Sequence, residues 1–511
     1  MQFTNEAERS RGLTTLLTIY AVAVLLLISV SARLWWQSPL TLIAHEFDYF
    51  LGLFASSDEK RFAIWVALGR GLHVLGFVLV GALYLTLVRR LLQSPLALSE
   101  RRIATWSAGV SLIFTVGMPW LSPDVFFYIG TGWADSHYGL SPYVAGVNSV
   151  PGSAHEQMFA NIFPDWRVST TAYGPLFQKL AAFLAGLSGG NEKLALALFK
   201  FVALVLHAAC SALVWYLAPA KFKRVALFSY AANPLICFSM LTCAHNDHWM
   251  NFFVLLALLA VARRYWFLSG VALGAAFGTK YFPLVFAPVF GLAALVQQRE
   301  GRGLAHNVTD AVQFLAGFLG ATVLAYLLYP GALKAFSSVA TTGITVYRNC
   351  VYYFVDVFTG YVLPALFKGH AFWASYDSAV GATLRGIFIA LYGIVLLALI
   401  DRLRRDPLTG IAEACLAATV LYFIFVNTGV QEWYLTWMMG VALILPYDRA
   451  HNLAWGLSAC FLPLVIYTVK NPAPIWFIAN VVLYCVMLVL GGRYLVSLAR
   501  TIPPAREQES L

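Results

Sequence analysis

A carboxylate stands where an apolar run stops. The run from Ile103 to Leu121 has the length of a membrane-spanning helix, and Asp124 follows it in 118-MPWLSPDVFFYIGTGWADSHYGLSPY-143. Aromatics come next, then Asp135, His137 and a Gly-Leu-Ser-Pro-Tyr turn. An acid at the rim of a bilayer, followed by aromatic rings, suits a site where a lipid-borne substrate meets a polar one. The alternative is an ordinary helix start, with Ser122 as N-cap, Pro123 as first helical residue and Asp124 favoured by the helix dipole.

Five further stretches carry polar chemistry inside apolar surroundings. In 242-TCAHNDHWM-250, His245, Asn246 and Asp247 join two apolar runs across a tight turn. His245 suits a phosphate or a sugar hydroxyl, and Asn246 and Asp247 suit sugar hydroxyls; a solvated hairpin is the competing reading. Lys280, in 277-FGTKYFPLVFAP-288, is flanked by apolar residues, a costly position that points to an anionic partner such as a lipid-linked phosphate. A lysine snorkelling to head groups is the alternative. Arg348, in 345-TVYRNCVYYF-354, offers a guanidinium fork for phosphate or is simply a loop residue. Gln431, Glu432, Trp433 and Tyr434, in 430-VQEWYLTW-437, suit contact with a sugar or acceptor, whereas Trp437 fits an interfacial aromatic belt. Tyr173, before Gly174-Pro175, closes a loop over the site or marks a helix-entry turn.

Together these groups match one reaction, transfer of a sugar from a polyprenyl phosphate to a hydroxyl. The acid deprotonates the hydroxyl as it attacks the anomeric carbon. The cations stabilise the departing phosphate, where negative charge develops.

Such groups need a membrane scaffold. The 511 residues are 60% hydrophobic and 11% charged, which excludes an ordinary soluble chain. Aromatics make up 15%, including 15 Trp and 25 Tyr, as membrane interfaces and sugar-binding surfaces favour. The net charge of +10 implies no nucleic-acid partner, since basic residues gather in cytoplasmic loops of membrane proteins. The 7 Cys form neither a disulfide framework nor a metal cluster; Cys350 alone sits in a long loop. Arg9 and Arg11 precede the first apolar run, and Arg33, Trp35 and Trp36 follow it without a small-residue cleavage site, as in an anchor.

The expected architecture is an all-α polytopic membrane protein forming one domain over 1–511, with about fourteen spans (12–14). These lie near 13–32, 62–88, 103–121, 193–217, 224–243, 249–262, 265–279, 282–297, 310–329, 383–401, 411–428, 433–446, 452–469 and 474–492. Two long extracytoplasmic loops, 122–192 and 330–382, carry interfacial helices, with 170–187 as one of them. Basic clusters at Arg9/Arg11, Arg89/Arg90/Arg101/Arg102, Lys221/Lys223/Arg224, Arg263/Arg264, Arg299/Arg302, Arg402/Arg404/Arg405, Arg449 and Arg493/Arg500/Arg506 alternate along the spans. The positive-inside rule puts them and both termini in the cytoplasm, and every candidate site residue outside.

The order SPDVFFYIGTG…HYGLSPY, AYGPLF, NPLICFSMLTCAHND, GTKYFPLVFAP and QEWYLTW resembles the polyprenol-phosphate-mannose-dependent α-mannosyltransferases of bacteria. These belong to the GT-C superfamily of integral-membrane glycosyltransferases, and the resemblance covers about residues 118 to 440. It implies the GT-C fold in the bacterial inner membrane, a decaprenyl- or undecaprenyl-phosphate mannose donor, a glycan or glycolipid acceptor, inversion, and an α-linked product. Asp124 takes the place of the acidic base in the first large external loop; His245, Asn246 and Asp247 match a polar motif, and Lys280 a basic position before a Pro-containing span. The second acid common in the family is absent, since Val125 and Phe126 follow Asp124. The expectation is therefore metal-independent transfer with no cofactor. Relatives using lipid-linked glucose, arabinose or aminoarabinose share the fold. A lipid or oligosaccharide transporter or flippase is the alternative from another class, although such chains carry internal repeats and midplane charges that are not evident here. A polysaccharide polymerase or ligase is a third.

Overall fold

The computed structural model describes residues 6–37, 59–94, 97–119, 122–298, 303–329, 331–334, 350–358, 370–446, 449–458 and 473–501. Among them every regular element is a helix. The principal ones are α1 (Glu6–Gln37), α2 (Glu59–Gln93), α3 (Glu100–Val116), α4 (Asp124–Tyr138), α5 (Pro175–Leu187), α6 (Glu192–Leu217), α7 (Lys223–Ala231), α8 (Asp247–Ala262), α9 (Trp266–Thr279), α10 (Ala287–Val296), α11 (Leu304–Leu327), α12 (His370–Ala398), α13 (Pro407–Phe425), α14 (Thr436–Leu443) and α15 (Ala473–Thr501).

Eight stretches among the described residues are long and apolar enough to cross a membrane: Glu8–Ile28, Leu75–Gln93, Glu192–Leu217, Lys223–Thr242, Leu304–Leu327, Ala379–Ala398, Pro407–Phe425 and Asn480–Arg500. Four shorter apolar helices, Pro175–Leu187, Asp247–Ala262, Trp266–Thr279 and Phe282–Val296, stand among them. Leu26, Leu327 and Leu397 are 66%, 71% and 70% exposed, an arrangement that only a hydrocarbon surround tolerates on this scale. The all-helical membrane architecture is thus borne out. The run expected at 103–121 is α3, which stops at Val116; the run expected at 452–469 lies partly outside the described residues.

Within 122–192, α4 and α5 pack against each other, joined by short turns of helix at Val147–Ser149, Ser153–His155, Gln157–Phe159 and Pro164–Arg167. They cross closely because Gly132 has no side chain: a Cβ there would stand 2.5 Å from the carbonyl oxygen of Ala181. α4 is buried on every side from Asp124 to Ala134, deeper than an interfacial helix.

The helices have two chemically different ends. At one end, Arg224 faces Glu100 at 3.6 Å, Arg263 meets the hydroxyl of Tyr216, and Gln298 donates its N–H to the carbonyl of Arg404. The other end holds the start of α4, the start of α8, the end of α9 and the Glu432–Leu435 turn. The candidate residues among the described ones lie there, opposite Arg224, Arg263 and Arg404.

Candidate active site

Asp124 is the first residue of α4 and 7% exposed. The N-cap is Pro123, not Ser122; the Ser122 hydroxyl accepts the Asp124 N–H at 3.5 Å and donates to Asp124 Oδ1 at 2.7 Å. Tyr173 donates to Oδ2 at 2.9 Å. The Tyr128 hydroxyl lies 3.4 Å from Oδ2 and 3.3 Å from Asn246 Oδ1, and can donate to one at a time. Burial pushes the Tyr128 and Tyr173 hydroxyls well above their ordinary range, so both phenols keep their protons and act as donors. The simple helix-start reading explains neither this burial nor the ring of hydroxyls.

Tyr173 is placed by its neighbour. Gly174 donates its N–H to Thr279 at 3.0 Å, and a Cβ at Gly174 would stand 2.2 Å from the carbonyl oxygen of Gly278. Only glycine allows that approach, which fixes Tyr173 beside the end of α9, next to Lys280. Tyr143 adds a hydrogen bond to the Tyr173 carbonyl at 2.7 Å.

The 242–250 turn is not a solvated hairpin. His245, Asn246, Asp247 and His248 are all 1% exposed or less. Asn233 caps a break at Pro234, a π-helix covers Cys237–Thr242, and Ala244 takes the left-handed conformation at φ 51°. Such irregular backbone costs a non-glycine residue about 1–2 kcal/mol and concentrates at functional sites. The outcome is His245 facing Asp124, with Nδ1 3.7 Å from Oδ2. Burial lowers the pKa of His245 despite Asp124 and Asp247, and Lys280 lowers it further, so the contact joins a neutral imidazole to a carboxylate. Trp433 stacks on that imidazole, centroids 4.0 Å apart. His248 faces away, against His207.

A second acid stands nearby. Asp247 Oδ1 accepts from Lys280 at 2.7 Å and from the indole N–H of Trp437. Asp247 Oδ2 has no hydrogen-bond partner among the described residues. Lys280 is 14% exposed at its side chain and lies over the rings of Tyr434 and Trp437, 4.5 and 5.2 Å from their centroids. Burial, then the Asp247 and Asp124 charges, hold the Tyr434 hydroxyl above its ordinary range. Glu432 is buried and Gln431 half-buried on the same turn. Trp437 is no belt residue: it is 5% exposed, packed on Phe282 and bonded to Asp247.

Asp124, Tyr173, His245, Asn246, Asp247, Lys280, Trp433 and Tyr434 therefore come together, with Gln431 and Glu432 on the adjoining turn. Arg348 lies outside the described residues. Sequence reasoning missed Tyr128, although it stands four residues after Asp124, on the same helix face. It also missed Lys200, a charge within an apolar span. The Lys200 ammonium lies 2.6–3.2 Å from the carbonyls of Thr115, Gly117, Leu241 and Thr242, which share its three N–H donors. It ties the end of α3 to the π-helical segment, and so places the chain leading to Asp124 against the chain leading to His245. Among the described residues no group of three His, Cys, Asp or Glu could hold a metal ion.

Residues 50–296 match the family described as alpha-(1->6)-mannopyranosyltransferase, N-terminal domain. That stretch contains α4, α5, the 233–247 segment and Lys280. The chain resembles the GT-C mannosyltransferases. The alpha-(1->6)-mannopyranosyltransferase A of Corynebacterium glutamicum is 30% identical over 166 residues, 32% of each chain. The protein of the same name from Mycobacterium tuberculosis is 26% identical over 412 residues, 75% of this chain and 74% of its own. The chain thus matches about a third of the first relative and three quarters of the second. The resemblance read from the motifs is borne out: the matches are to proteins named as mannosyltransferases, and the apolar helices are those of a membrane protein.

Proposed function

We propose that the protein moves mannose from a polyprenyl-phosphate donor to a hydroxyl of a glycan or glycolipid acceptor, with Asp124 as general base. The observation that carries this reading is the buried Asp124 carboxylate, aligned by the Ser122 and Tyr173 hydroxyls beside a neutral imidazole. The acceptor O–H gives its proton to Asp124 while its oxygen attacks the anomeric carbon from the face opposite the phosphate. The carbon–oxygen bond to phosphate breaks, its electron pair stays on the phosphate, and the sugar inverts. Lys280, with Arg348, meets the charge that develops on the leaving group. Asp247, one oxygen tied to Lys280 and Trp437, turns the other to a sugar hydroxyl. Trp433 and Tyr434 give apolar faces to the sugar ring, and Asn246, Gln431 and Glu432 its polar contacts. Cations in place of a metal make the transfer metal-independent.

The placement of this site opposite the basic clusters supports an extracytoplasmic active site with both termini in the cytoplasm, in the bacterial inner membrane. The names of the two relatives support mannose over glucose, arabinose or aminoarabinose, and an α-(1→6) linkage. The test uses purified protein, mannoside acceptors and polyprenyl phosphates carrying each of the four sugars. Release of polyprenyl phosphate with the mannose donor, and an α-(1→6) product, is expected. No release with any donor would overturn the proposal.

A further inference from the structure

At the end of the helices opposite Asp124, α3, α6 and α7 enclose a crevice of about 600 Å³. We propose that it binds one chain of an anionic glycerophospholipid, with the phosphate at Arg101. Small residues open it: Ala104 and Ala108 on α3, Ala208 and Ala212 on α6. It runs from Arg101 to Leu112, ~17 Å at the helical rise, the reach of an acyl chain. Its α6 wall lies within the apolar span Glu192–Leu217, and Leu112 at its lip is 54% exposed. At that depth there is hydrocarbon and no bulk water, so a lipid chain fills the space.

The polar side chains around the crevice keep their polar atoms out of it. Ser107 and His207 are each 2% exposed and line the crevice. The Ser107 hydroxyl, the Nδ1 of His207 and the indole N–H of Trp215 have no hydrogen-bond partner among the described residues. His207 is set by its other nitrogen, 3.0 Å from the Ala231 carbonyl, so Nε2 carries the proton and Nδ1 is left to accept. These polar atoms are buried behind the apolar lining, so the crevice presents a hydrocarbon wall to its occupant.

Charge at the mouth completes the match. Glu100 is engaged by Arg224 at 3.6 Å, whereas Arg101 is exposed and forms no ion pair among the described residues. The 17 residues of α3, ~25 Å long, separate this mouth from Asp124. A phosphate at Arg101 therefore sits in the leaflet opposite the donor phosphate.

Native mass spectrometry of the detergent-purified chain, titrated with phosphatidylglycerol or phosphatidylcholine, tests the site. The wild type should hold one phosphatidylglycerol in preference to phosphatidylcholine. Ala208→Trp, which fills the crevice, should weaken that binding at least about tenfold. Arg101→Gln, at an exposed position where folding is not at stake, should weaken it about fivefold and erase the preference. Equal retention of both lipids by the wild type, or unchanged binding in Arg101→Gln or in folded Ala208→Trp, would overturn the proposal. So would displacement of the phosphatidylglycerol by polyprenyl phosphate, which would assign the crevice to the donor's tail.

Discussion

Replacing Asp124 with Asn separates the base from everything else the carboxylate does. The amide has nearly the same size and keeps one acceptor oxygen, so one of the two closest donors, Ser122 at 2.7 Å or Tyr173 at 2.9 Å, retains its partner. The other meets an N–H₂ group and must turn its hydroxyl to accept. Losing one charge-assisted hydrogen bond costs about 1.5–3 kcal/mol of stability at most. The amide cannot take a proton, and a general base is worth ~10²–10⁴ in rate, about 2.7–5.5 kcal/mol of barrier. Turnover, measured as release of polyprenyl phosphate from polyprenyl-phosphate mannose, should therefore fall by ~10²–10⁴ in a protein that still elutes as a single folded species. Donor affinity, measured separately by displacement of a labelled analogue, should stay within a few fold. Tyr173→Phe is the control. It removes one hydroxyl and leaves the base, so its turnover should fall by roughly 10- to 10²-fold at most, the worth of one hydrogen bond to a charged group. A folded Asp124→Asn enzyme with turnover within about threefold of wild type would refute the assignment. A base supplied by Glu432 or Asp247 would then be tested next.

Lys280→Ala removes the cation held at 2.7 Å from Asp247 and should lower turnover and weaken donor binding by about 10²-fold together, with acceptor affinity little changed; Arg348→Ala should act in the same direction, and wild-type kinetics in either would remove that residue from the site. Gly174→Ala sets a Cβ 2.2 Å from the Gly278 carbonyl and must displace Tyr173, so turnover should drop at least about tenfold, as a steady-state assay would read. Burial lowers the His245 pKa in the folded state, so acid charges the unfolded chain first. Stability that His245 contributes is present above the ordinary histidine pKa of about 6.5 and is lost as pH falls toward the folded value. Melting temperature between pH 7.5 and 5 should fall less steeply in His245→Gln than in wild type; equal slopes would contradict a buried neutral imidazole. Chelators should leave turnover intact, and activity lost on chelation and restored by one divalent cation would mean that Asp124 with Asp247 or Glu432 holds a metal.

The apolar membrane helices, the rim of polar motifs and the acid at Asp124 were legible in the chain because each rests on local composition. An apolar run long enough to cross a bilayer must be helical, whatever surrounds it. A charge next to such a run is costly unless it has work to do. Gly174 was visible as a turn, but its contact with Gly278 joins residues 104 apart in the chain and follows no local rule. Likewise Trp437 read as a membrane-belt residue, because a tryptophan near a span end has the same local pattern whether it faces lipid or donates to Asp247. Tyr128 and Lys200 carried signals at helical spacing and in hydropathy, but only packing shows which carboxylate and which carbonyls they meet. Burial of the 245–248 turn was invisible for the same reason: Asn and Asp form solvated turns as readily as buried ones, and the difference lies in which helices close over them. Sequence by itself determined the membrane class, the helical elements and the residue types able to transfer a sugar. Tertiary structure alone decided which hydroxyls align Asp124, that His245 stays neutral and that Lys280 is shared with Asp247, because distances and desolvation come from segments brought together across the whole chain.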